Sequence, residues 1–465
     1  MRVESRLPDA SPNKSTALIC AGLGVFCNLN ECGVLGLITT NSICETDTLQ
    51  GGLSPIVSNG GRIFRATSDE LWPGAAGVRI AKLHVAKCVF EGDSFLDGVL
   101  VANIRPDLTS GDQLLTPYRL HANFDMGYKG VDFGGTGFIL TESQLAEMER
   151  AFPNEAVFVW PLINALDVTS EPTQKPKRQI INFSGMELEE VRRVAPSLLS
   201  VVENKIKPDR AKAKSRIHRE KWWHYFWPRP ELYARLHGMT EVVVNPVVAK
   251  WTTFSVLPSH AVFSNALNVF PISDKAFCAI LQSTIHIEWA ASYGSSMKQD
   301  PRYNPSDCFE TFLFPGEWKS CGKIYQLGDQ YLSCRSGLMT HLHEGLTSLY
   351  NRFHNPNKID TDVQKLRDLH VELDQAVAAA YGWTNLELGH DFHETKQGVR
   401  FTISEAARRE VLQRLLKLNH ERYAEEVKQG LHGKKGAAKK AAPKKKAASN
   451  PAKQEASLFD GEDDE

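Results

Sequence analysis

The first clear hydrophobic signal in the chain is Gly33–Ile43 (GVLGLITTNSI), a short apolar run that turns polar at Thr39, Thr40 and Asn41. A run of this length and ending reads as a buried strand that delivers those three side chains to its carboxyl end. Leu53–Val57 has the spacing of a helical turn, Arg62–Ala66 reads as a strand, and Val78–Val89 as another with apolar and basic positions mixed. Such alternation predicts the second half of an α/β sheet in residues 29–125. Between Leu100 and Asp125 the pattern loosens into polar and turn-forming residues, which places a boundary there.

Beyond it, Phe133–Phe138 is glycine-rich, and Thr141-Glu142-Ser143-Gln144 before Leu145 is a helix start with Thr141 as cap and Gln144 closing a capping box. Residues 157–314 predict a mixed α+β region. Its strands are Gln179–Phe183, Glu241–Val244 and Phe254–Leu257, its helices Glu187–Val202 and Lys275–Ala291, and Pro305–Pro315 an extended crossing segment. Residues 338–430 read as mostly helical, with Leu366, Leu369, Leu373, Ala376, Val377 and Ala380 at helical spacing and a second helix over Ser404–Glu426. The chain therefore divides into an atypical start (1–28), the end of an α/β domain (29–125), a mixed domain (126–315), a helical region (316–430) and a charged tail (431–465).

At 465 residues with 42% apolar and 23% charged positions, the composition is that of ordinary globular domains, two or three of them. No apolar run approaches the ~18 residues of a membrane helix, and no secretory signal opens the chain. Nine cysteines without a C-x-x-C pair fit reduced thiols in a cytoplasmic protein, and no zinc spacing is present; His341-x-His343 lacks a third ligand. Net charge is −1, but it is segregated. Eight lysines lie in Lys434–Lys453 and six acids in the last eleven residues, and residues 1–430 carry three more acids than bases. The tail cannot build a core and is expected to be disordered. Any polyanion must be met by a local patch.

Lys205–Lys221 is such a patch. It holds Lys205, Lys207, Arg210, Lys212, Lys214, Arg216, Arg219 and Lys221 against Asp209 and Glu220, a net +6 in seventeen residues. With Pro208 in the first helical position and Asp209 in the first turn, a helix would carry Arg210, Lys214 and Lys221 on one side and Lys212, Arg216 and Arg219 on the other. A helix basic on two sides is suited to a path along phosphates; the alternative is a solvated charged surface. Trp222, Trp223, Tyr225, Phe226 and Trp227 follow directly, and aromatics so placed either pack in a core or stack on bases.

Arg302–Pro315 (RYNPSDCFETFLFP) resembles the segment that closes the target-recognition region of adenine-N6 DNA methyltransferases of the large, type IIG-like restriction-modification family. Gly33–Ile43, Lys221-Trp222-Trp223, Leu281–His286 (LQSTIH) and Ala378–Trp383 (AAAYGW) are similar to segments of that family and occur in its order. The resemblance implies the end of a Rossmann-like methyltransferase sheet, then a mixed α+β target-recognition domain binding double-stranded DNA, then a helical region, with S-adenosylmethionine as the methyl donor. Two parts of such an enzyme have no counterpart here. Phe133–Gly137 (FGGTG) fits the letter of a donor loop, but the residues before it are turn-like rather than a buried strand, and the family has a similar glycine-rich segment at the entry to its recognition domain. The loop that holds the flipped adenine needs Pro-Pro, which is absent; Asn245-Pro246 and Asn304-Pro305 are the nearest approaches. No catalytic or donor-binding residue is therefore assigned. Three alternatives stand: the recognition half of an enzyme whose donor site lies on a separate chain, a stand-alone DNA-binding specificity protein, and an inactive remnant.

Overall fold

The computed structural model describes residues 24–432 apart from 31, 45–47, 50–51, 74–77, 88–89, 91, 111–115, 298–299 and 396; the expectations for residues 1–23 and for the tail beyond 432 lie outside the described residues. Residues 34–101 form one five-stranded sheet from β1 (Val34–Thr40), β2 (Arg62–Leu71), β3 (Arg79–Ala86), β4 (Ser94–Leu96) and β5 (Val99–Val101), in the order β1-β3-β2-β4-β5. A short helix, α1 (Leu53–Ser58), lies between β1 and β2. Its Leu53 and Ile56 pack with Leu35, Ile63, Leu83, Val85 and Ile104 into a core whose buried side chains, among the described residues, come from positions 26–108.

The α/β alternation expected for this segment is only partly realised. β3 runs antiparallel to both β1 and β2, β5 runs antiparallel to β4, and β2–β4 is the parallel pair. The link between β2 and β3 is too short for the crossover helix that a parallel pair requires. β1 forms one end of the sheet, and its Val34 and Ile38 are 53% and 60% exposed.

The middle of the chain contains β6 (Tyr128–Lys129), β7 (Ile139–Leu140), α2 (Glu142–Ala151), β8 (Val159–Ile163), α3 (Ala165–Thr169), β9 (Arg178–Ile181), α4 (Leu188–Val194), α5 (Pro196–Ala211), α6 (Arg216–Glu220) and α7 (Pro230–Leu236). These are followed by β10 (Glu241–Pro246), β11 (Ser255–Pro258), β12 (Val262–Phe263) and β13 (Leu267–Phe270). Two four-stranded sheets result, β11-β10-β13-β6 and β12-β8-β9-β7. Thr141 caps α2 through the expected capping box with Gln144. The single helix expected over 187–202 is two helices. Pro196 takes the first position of α5 and leaves Ala195 in a non-helical conformation, because a proline clashes with a helical residue before it. Lys275–Ala291 likewise divides into α8 (Lys275–Gln282) and α9 (Thr284–Tyr293), since Ser283 turns extended to cap α9 at the His286 N–H.

After the hairpin β14 (Ser295–Met297) and β15 (Asp300–Arg302), the segment expected to be extended instead coils: Pro305–Phe309 is a π-type turn, which buries Cys308 and Phe309, and Phe312 follows them into the core. The helical region consists of α10 (Gly322–Leu342), α11 (Leu346–Phe353), α12 (Thr361–Ala380) and α13 (Glu405–Lys428), interrupted by an unforeseen hairpin, β16 (Asp391–Thr395) with β17 (Gly398–Thr402). These helices share their core with the middle sheets: Val242, Val244 and Leu267 pack with Leu338, Leu349, Leu366 and Phe401. α13 also reaches back to the start of the middle region. Asn419 bonds both backbone groups of Tyr118 at 2.8 Å, Glu426 accepts from the N–H groups of His121 and Ala122, and the rings of Tyr118 and Tyr423 stack at 4.0 Å.

Candidate nucleic-acid interface

The basic run is not one helix. α5 begins at Pro196 and carries Lys205, Lys207 and Arg210 through an internal Pro208; Lys212 ends it, and Arg216 opens α6 after a turn. A proline is usually tolerated only in the first helical turn, which is why Pro208 read as a start. Here the helix spans it, and the two basic faces expected of a 208–221 helix do not exist.

The eight cations divide by their partners. Lys207 pairs with Glu203 at 2.6 Å, Arg216 with Glu220 at 2.7 Å and Lys221 with Glu187 at 3.2 Å. Arg219 donates to the carbonyls of Ala213 and Lys214, closing the turn between α5 and α6. Arg210 is only 2% exposed. Its guanidinium lies 3.6 Å from the centroid of the Phe226 ring and donates to the carbonyls of Phe133 and His224. Burial pushes its pKa down to about 10, opposed by Asp132, and its Nε and Nη1 have no hydrogen-bond partner among the described residues. A group so enclosed is a packing element of this core, not a phosphate ligand, and that corrects its place in the run. Lys205, which donates to the neutral Gln144, Lys212 and Lys214 are, with Arg219, the exposed cations of the run that no described carboxylate pairs.

The aromatic cluster divides in the same way. Trp222, Trp223 and Tyr225 are buried among Leu198, Val202 and Ile206, with the Tyr225 hydroxyl donating to Ile181 O at 2.6 Å. Trp227 is 57% exposed and Phe226 half-buried beside His218. The glycine-rich loop is explained by the same packing. Gly134 has φ +63°, and a Cβ there would lie 2.3 Å from the Phe226 ring; one at Gly137 would meet Ile206 at 2.7 Å. The loop leads into a 3-10 turn and β7 rather than opening a helix. With Lys205 and Asp209 it lines an open recess of about 520 Å³.

RYNPSDCFETFLFP is a structural hub. The Tyr303 hydroxyl meets His286 Nε2 at 3.0 Å, the Trp289 indole donates to Thr311 at 3.1 Å, and Asn123 and Asn419 reach the carbonyls of Phe309, Phe312 and Thr311. Asn304 spends its side chain on Asp307 within the turn. Sequence reasoning did not single out Lys129 and Arg229, and took Arg302 only as the start of RYNPSDCFETFLFP; the three cations come together through the fold, and no local charge run marks them.

The middle sheets, with the helical region packed against them, carry this cationic and aromatic surface. Residues 116–316 match the family model described as MmeI, target recognition domain. Among solved structures, the type IIL restriction-modification enzyme MmeI in complex with DNA shares the fold at a TM-score of 0.64 and 17% identity, over 86% of this chain and 51% of that one. The chain thus spans about half the length of that relative. The type IIG restriction endonuclease BpuSI aligns over 77% of this chain and 48% of its own, at 10% identity and a TM-score of 0.29, too low to define a common fold. No curated protein matches the chain. Among the described residues, no helix is long and apolar enough to cross a membrane.

Proposed function

We propose that this chain is the sequence-reading portion of a cytoplasmic, S-adenosylmethionine-dependent adenine-N6 DNA methyltransferase of a restriction-modification or phage-defence system. It binds double-stranded DNA through residues 116–316 and relies on a separate methyltransferase half for the donor site. The observation that carries the reading is the match of residues 116–316 to the model of the MmeI target recognition domain. The first sheet is compatible with the rest: among the described strands β1 lies at its end, an edge to which the strands of a methyltransferase half would pair. In this reading the glycine loop at 134–137 serves packing against Phe226 and Ile206, and the chain alone binds no methyl donor.

Two experiments test it. Titration calorimetry of the chain with S-adenosylmethionine should give no saturable heat; a micromolar site would assign donor binding to this chain. Fusion of an upstream methyltransferase domain to residues 29–465 should restore adenine methylation in duplex DNA. A fusion that folds and binds donor yet methylates no sequence would favour the inactive-remnant reading.

A further inference from the structure

Three cations from distant parts of the chain converge beside β6. Lys129 ends that strand and lies opposite Asn268 of β13. Asn268 donates to the carbonyl of Tyr303, which fixes the residue before it, Arg302, next to the same strand pair; Arg302 also bridges to Val248. The third is Arg229. The backbones of Trp227 and Asp132 exchange hydrogen bonds at 2.9 and 3.3 Å, so residues 227–229 run alongside 130–132, and Arg229 Nε donates to Gly130 O at 3.4 Å. Arg229 sits at φ +55°, a left-handed conformation that a non-glycine residue adopts only at a cost of order 1 kcal/mol or more.

The two guanidiniums act on the lysine. The Lys129 ammonium is pushed down from the usual lysine range, first by burial and then by the charges of Arg302 and Arg229. Among the described residues none of the three is in an ion pair. Lys129 is nevertheless exposed and Arg229 and Arg302 half-exposed, with the open indole of Trp227 two residues from Arg229. Like charges gathered without an acid raise the energy of the free protein, and a bound polyanion removes that penalty. This contrasts with Lys205–Lys221, where acids already meet three of the eight cations and Arg210 is enclosed.

We infer that Lys129, Arg229 and Arg302 form a phosphodiester clamp that holds the DNA backbone against the β6 edge of the recognition domain. The clamp rests on the DNA-binding reading above and adds a backbone contact to it. Planar guanidiniums from two sides and a mobile ammonium from a third fit a tetrahedral phosphate whose oxygens point in several directions. Such contacts fix the register of the duplex and carry no base information.

The test is equilibrium binding of the full chain to duplex DNA across a salt series, comparing the parent with Lys129→Gln/Arg302→Gln, and with Lys129→Gln and Lys129→Arg alone. Each lost phosphate contact lowers the slope of log K against log salt by about 0.9, so the double variant should lose nearly 2 units. Between 50 and 200 mM salt the parent should then lose roughly tenfold more affinity than the double variant, on cognate and random duplex alike. Lys129→Gln should lose about 1 unit and Lys129→Arg none, with melting temperatures at or above the parent's. A double variant that melts like the parent and keeps its slope overturns the clamp while leaving DNA recognition intact. A folded parent chain that binds no duplex overturns both.

Discussion

The bond between Tyr303 and His286 joins two of the segments that made the chain recognisable, and removing it should cost the molecule measurably. His286 is fully buried at the start of α9; its Nδ1 donates to Leu281 O at 2.7 Å, which leaves Nε2 bare to accept from the Tyr303 hydroxyl at 3.0 Å. Tyr303→Phe deletes one oxygen and keeps the ring, so its effect is that of an unsatisfied buried acceptor, about 1–3 kcal/mol. In a domain of this size that is a fall of several degrees in melting temperature at pH 8. The imidazole also makes stability depend on pH. Burial pushes its pKa down to about 4, opposed by the carbonyls of Leu281 and Cys308, against about 6.5 in the unfolded chain. Its folded pKa is depressed, so the unfolded chain binds more protons between those values. The stability is complete above about pH 6.5 and is lost as pH falls toward 4, by at most on the order of 3 kcal/mol. Denaturant melts of the parent and of His286→Gln from pH 8 to 4.5 read this directly: the variant should be less stable at pH 8 and lose less on acidification. A Tyr303→Phe chain as stable as the parent, or a His286→Gln chain that loses stability over that range as steeply as the parent, would refute the reasoning.

Reversal of Lys205, Lys212 and Lys214 to glutamate should flatten the DNA salt slope by up to 2–3 units, whereas reversal of Arg216 and Lys221, already met by Glu220 and Glu187, should change it by less than 1; salt-dependent binding curves decide between them. Arg210→Ala should lower the melting temperature, because it removes the cation stacked on Phe226, while Trp227→Ala should leave stability alone and weaken DNA binding; Trp223→Ala should unfold the cluster at a cost of about 3–5 kcal/mol. Asp374 is enclosed among the Thr284 N–H, His390 and His370, which together hold its carboxyl below the usual range against burial, so Asp374→Ala leaves the buried Thr284 N–H without its acceptor and should destabilise the junction of α9 and α12 by about 1–3 kcal/mol in thermal melts at pH 7.

What the sequence made legible is what local chemistry controls. The capping box at Thr141, the strands at Val34, Arg62, Arg79 and Glu241, and the helix capped by Ser404 lie where their residues place them. RYNPSDCFETFLFP ties Tyr303, Thr311, Phe309 and Phe312 to other elements. Its coiled shape was not legible, since that follows from burying Phe309 and Phe312 against α8 and α9, packing that no spacing encodes. The basic run misled for a related reason: a count of charges says nothing of the acids at Glu187 and Glu203 that the fold brings to it, nor of the pocket that takes Arg210 inside. The meeting of Lys129, Arg229 and Arg302 was invisible because a hundred residues and seventy more separate cations that meet only through β6, β13 and β15.

The central claim is that residues 116–316 read a DNA sequence, and selection from a randomised duplex library by the purified full chain tests it most directly. The account predicts that repeated rounds at moderate salt converge on one short sequence, bound at least about a thousandfold more tightly than random duplex. A folded chain that binds no duplex, or that retains DNA with no convergence on any sequence, would contradict it.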